Sequence, residues 1–152
     1  MATVEIDRTL DAPPERVRRA LTDAAELTAW FWPPRLEPDV VVEPRPEGRW
    51  RVSSVPGEMG IEGVFTEFTP DLLAWTWRWD GEDEERESLV VVTLVPTDEG
   101  RTHLRVRHDH LQPDAAADHA EGWEACLERL PRHLAAGPVE PVEPVEPVEP
   151  AP

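Results

Sequence analysis

The sequence predicts an α+β domain in which a curved antiparallel sheet of about seven strands wraps round one long C-terminal helix. Three observations carry this reading. Within residues 113–136, Ala116, Ala120, Trp123, Leu127, Leu130 and Leu134 recur at steps of four and three, lining one helix face. Residues 38–110 read almost wholly as strand patterns cut by turn residues. Ahead of them lie only one strand pattern and two short helices, so the long apolar stripe needs a sheet to lie on.

The elements follow in order. Val4, Ile6 and Leu10 alternate inward on a first strand from Thr3 to Leu10. Pro13-Pro14-Glu15 opens a short helix to Leu21, with Val17, Ala20 and Leu21 inward. Asp23 and Glu26 have capping-box spacing for a second short helix ending near Trp30-Phe31-Trp32. Strands are then expected at 39–43, 49–55, 61–68, 72–79, 88–95 and 101–110, with Leu73, Trp75, Trp77 and Trp79 sharing a face. On the last strand Thr102, Leu104, Val106 and His108 face inward, while Arg101, His103, Arg105 and Arg107 face water. The acidic run 80–85 is a solvated hairpin loop. In the long helix Pro113 suits the first position and Gly137-Pro138 the stop; Gly122 leaves a notch beside Trp123, and Pro131 should kink or tighten the last turn.

Residues 1–137 make one domain with a genuine core. Residues 138–152, PVEPVEPVEPVEPAP, place Pro at every third position; a solvated polyproline II or disordered, dispensable tail is expected. No apolar run is long enough for a membrane span, and no secretory signal pattern is present. A net charge of −17 argues against nucleic acid and anionic membrane as partners. One cysteine, Cys126, permits no intrachain disulfide and is consistent with the cytoplasm. The chain has no lysine, which excludes Schiff-base and P-loop lysine chemistry.

Four stretches then add a resemblance: APPERVRRALTDAAELTAWFWP at 12–33, GVFTEFTPDLLAWTW at 63–77, GRTHLRVRHDHL at 100–111 and GWEACLERL at 122–130. In this order of elements the chain resembles the helix-grip (START-like, Bet v 1-like) superfamily. More closely it resembles the bacterial single-domain proteins similar to the C-terminal domain of the activator of Hsp90 ATPase. One departure is Glu47-Gly48, where such proteins commonly carry Gly-Gly. The resemblance implies a cavity between the long helix and the concave sheet, holding a small apolar or amphipathic molecule. Trp50, Trp75, Trp77, His108, Trp123 and Leu127 are the candidate ligand-binding residues.

The residues themselves leave alternatives open. Seven tryptophans suit a cavity lining or a plain core equally. An inward His108 is a buried imidazole bonded by the protein, a polar handle for a ligand, or a catalytic base. His108 and His110 form an H-x-H pair on one strand face, with Asp109, Asp114 and His119 near in sequence, but nothing fixes a third ligand and no metal or cofactor is expected. None of the three serines, Ser53, Ser54 and Ser88, sits in G-x-S-x-G. A non-enzymatic, cytoplasmic ligand-binding protein is therefore the leading expectation. The second is a chaperone partner acting on Hsp90, although the eukaryotic namesakes carry an N-terminal domain for which residues before Thr3 leave no room. The third is a cyclase- or hydrolase-type enzyme using His108 and a carboxylate.

Overall fold

The computed structural model describes residues 1–139; the expected tail from Glu140 onward lies outside them. Strand β1 (Ala2–Leu10) leads to helices α1 (Pro14–Thr22) and α2 (Ala24–Trp30). Six strands follow: β2 (Asp39–Val42), β3 (Arg49–Ser54), β4 (Met59–Phe68), β5 (Leu72–Trp79), β6 (Ser88–Pro96) and β7 (Thr102–Leu111). Helix α3 (Ala116–Ala135) is the last element among the described residues and follows a 3-10 turn at Pro113–Ala115. The strands form one seven-stranded antiparallel sheet in the order β1-β7-β6-β5-β4-β3-β2. Its curved inner face grips α3, the α+β helix-grip arrangement.

Period-two patterning decides which face packs. Along β7, Thr102, Leu104, Val106 and His108 are buried while Arg105 and Arg107 face water. The alternation breaks at the strand end: His110 takes a left-handed backbone (φ 62) and turns outward, and Leu111 becomes the buried residue. His108 and His110 therefore do not share a face, contrary to the H-x-H expectation.

On α3 the buried residues Trp123, Leu127, Leu130 and Leu134 are those of the apolar stripe, joined by Cys126. The helix runs through Pro131 to Ala135, and Gly137 (φ 87) ends it in the left-handed conformation that glycine adopts freely. Asp23 caps α2 by accepting from the Glu26 N–H at 3.1 Å. The Glu26 carboxylate does not complete the capping box. It turns into a fully buried site where it meets His133, Arg16 (3.0 Å), Arg19 (3.4 Å) and the Val139 N–H (2.9 Å). Burial raises the cost of its charge, but these bonds hold its carboxyl below the usual range. No helix among the described residues is long and apolar enough to cross a membrane.

Candidate functional site

A cavity of about 420 Å³ lies under α3, between the end of β5 and the segment that leaves α2. That volume falls in the range of small-molecule sites. Phe31, Trp32 and Pro33 form one wall, Trp77 and Trp79 of β5 a second, and α3 the third. Pro33-Pro34 ends α2 and directs Phe31 and Trp32 inward, where both are buried. Trp77 and Trp79 share a face of β5 through the strand's alternation. On α3 the wall residues Asp118, Gly122, Ala125 and Arg129 step by four, three and four, a second stripe beside the core stripe.

Gly122 decides the shape of that wall. A Cβ built there meets nothing within 4 Å, so the missing side chain leaves space rather than relieving a clash. Opposite, Trp32 and Trp79 lie almost parallel, 5° apart with ring centroids 6.4 Å distant.

The imidazole, hydroxyl and thiol groups behind this aromatic surface are paired, whereas the indole N–H groups of Trp50, Trp75 and Trp77 are buried without a partner among the described residues. Trp123 Nε1–H donates to His108 Nδ1 at 3.0 Å, so the His108 proton sits on Nε2 and goes to Ser88 Oγ at 2.7 Å. Ser88 passes its own proton to the Trp77 carbonyl at 3.2 Å. Burial pushes the His108 imidazole down to about 3, helped by His119, whose ring centroid is 4.9 Å away. His119 is held in the opposite tautomer: Nε2 accepts from Trp79 Nε1–H at 3.0 Å, and Nδ1–H donates to the Ala115 carbonyl at 2.8 Å. Cys126 donates its S–H to the Phe31 carbonyl at 3.0 Å, and burial pushes its thiol up to about 11 against the pull of Arg129. Among the described residues no group of three or more His, Cys, Asp or Glu could hold a metal ion.

Of the six residues expected from the sequence, Trp77 and Trp123 line the cavity. Trp50 stacks between Trp75 and Trp77 at 5.3 and 5.6 Å, and Trp50, Trp75 and Leu127 are packed in the core behind the wall. His108 is wholly buried with both ring nitrogens bonded inside the protein. The sequence reading missed Phe31, Trp32, Trp79, His119 and Arg129 as wall residues. The second four-three-four stripe through Gly122 was the available signal for the α3 members.

Fold and cavity together define a helix-grip protein with a half-open aromatic pocket beside the long helix. Residues 11–135 match the family described as activator of Hsp90 ATPase homolog 1-like protein, and the chain belongs to that family. A crystal structure of a Mesorhizobium loti protein is similar, 26% identical with TM-score 0.77, covering 91% of this chain and 100% of that one. A Rhodobacter sphaeroides protein is 27% identical with TM-score 0.75, covering 90% and 93%. An HSP90 activator from Plasmodium falciparum shares the fold at 24% identity and TM-score 0.75, covering 89% and 97%. No curated protein matches the chain.

Proposed function

We propose that this protein is a non-enzymatic, cytoplasmic binder of a small hydrophobic or amphipathic molecule, held in the cavity under α3. The observation that carries the reading is Gly122. A glycine inside a helix costs about 1 kcal/mol against alanine, and here the lost Cβ keeps an aromatic-walled space open. The pairing of both nearby imidazoles supports binding over catalysis, since a base must have a free nitrogen to take a proton.

The test separates occupancy from stability. Gly122→Leu should melt at the same temperature or higher while losing at least about tenfold in affinity for the neutral dye N-phenyl-1-naphthylamine, because the new side chain fills the space it needs. Unchanged dye affinity in that variant would remove the cavity as the site, and absence of saturable dye binding to the natural protein would remove the reading. A second reading, a chaperone partner, is favoured by the family description. It predicts that the added protein raises the ATPase rate of purified Hsp90, whatever Gly122 becomes.

A further inference from the structure

Resting on that binding reading, we propose that the cavity selects planar aromatic molecules bearing a carboxylate, with Arg129 as the receptor for the anion. Arg129 lies on the cavity wall, three turns along α3 from Asp118. Its Nε–H donates to the Trp30 carbonyl at 2.9 Å and its Nη2 to the Phe31 carbonyl at 2.7 Å. These two bonds use one edge of the guanidinium and fix its plane. The second Nη2 hydrogen has only a long contact with Cys126 Sγ at 3.6 Å, and Nη1 has no partner among the described residues. An oriented fork therefore remains, and no described carboxylate pairs with it.

Of the other polar groups on the wall, the Trp77 Nε1–H is buried without a partner among the described residues. As a neutral donor it can serve an acid and an ester alike and so does not set a preference for charge. Both nitrogens of His119 are bonded within the protein. Asp118 is exposed about 16 Å away at the helical rise, where it would repel an anion from that end and set a ligand's direction. The near-parallel rings of Trp32 and Trp79 offer a flat surface to a fused or single aromatic ring. The chain's net charge of −17 repels anions as a whole, so a preference for one must be local. An Arg–carboxylate pair in a partly desolvated site has the strength and geometry to supply it.

The experiment is displacement of N-phenyl-1-naphthylamine by 2-naphthoate and by methyl 2-naphthoate, which differ in the charge at one group. The natural protein should prefer the acid by about tenfold, as expected of a charged hydrogen-bonded pair. The ratio of acid to ester within each protein is the readout, so a general loss of affinity does not mimic the result. Arg129→Met should bring the ratio to one or below. If that variant fails to fold, Arg129→Gln decides: its amide keeps a donor for the backbone carbonyls but carries no charge, and it should likewise remove the preference. If the dye binds but the natural protein is indifferent or prefers the ester, the Arg129 assignment falls and the binding reading stands. A preference surviving either folded variant also overturns it. If the dye does not bind at all, both readings fall together.

Discussion

His108 is the residue whose protonation state the fold dictates most firmly. It receives one hydrogen bond, gives another and touches no water, so the neutral ring is the form that folds. An ordinary imidazole titrates near 6.5, and this one is pushed down to about 3. The unfolded chain therefore takes up a proton across that window while the folded chain does not. The stability that His108 contributes is whole above pH 6.5 and drains as pH falls, by about 1.4 kcal/mol per pH unit at steepest. Denaturant titrations at a series of pH values should show this slope between pH 6 and 5, above the window where carboxylates contribute. His108→Phe should be less stable throughout, because it strands the Trp123 N–H, yet flatter with pH. An equal slope in both proteins would mean that His108 is not the group responsible.

At the scale of elements, the turn from β2 into β3 holds a glutamate in a backbone conformation that suits glycine better. Glu47 is exposed and adopts φ 64, the left-handed region that glycine enters freely and other residues enter at a cost. Its N–H bonds the Phe65 carbonyl at 2.9 Å, and the Phe65 N–H returns to the Gly48 carbonyl, so the turn is locked onto β4. Gly48 cannot be exchanged: a Cβ there would lie 2.0 Å from the Glu43 carbonyl oxygen. Glu47→Gly should therefore raise stability by about 0.5–1 kcal/mol, the strain relieved less the extra freedom of the unfolded glycine. A melting curve checks it; a lower melting temperature would mean that Glu47 makes a compensating contact.

Across the whole molecule, the buried carboxylate of Glu26 joins α1, α2, α3 and the chain beyond Gly137. Val139 is clamped from both sides, its N–H on Glu26 and its carbonyl on Arg19 Nη2 at 2.9 Å. The boundary between domain and tail expected at 137 therefore has two further residues held to the fold. A chain cut after Pro141 should melt as the full chain does, because the removed repeat lacks the apolar surface to offset its ordering. A chain cut after Gly137 loses both of these hydrogen bonds to charged groups and should be less stable by about 1–3 kcal/mol. Equal melting of the two truncations would show that the clamp contributes nothing.

Much of the fold was legible before any coordinates. Period and turn chemistry located every strand, Leu72–Trp79 at both ends, and the α3 stripe named Trp123, Leu127, Leu130 and Leu134 as buried. Those signals are local, since a pleat or helical turn dictates which face a side chain takes. The cavity was legible only in fragments. Its walls come from residues 31–33, 77–79 and 118–129, and whether space remains among them depends on side-chain volumes summed over segments far apart in the chain. Periodicity marked Trp50, Trp75 and Trp77 alike as inward, but only packing put the first two in the core and the third on the wall. In the same way, the sequence spacing assigned Glu26 to a cap, and tertiary structure gave it three basic partners instead, because a buried carboxylate goes where its charge is best compensated.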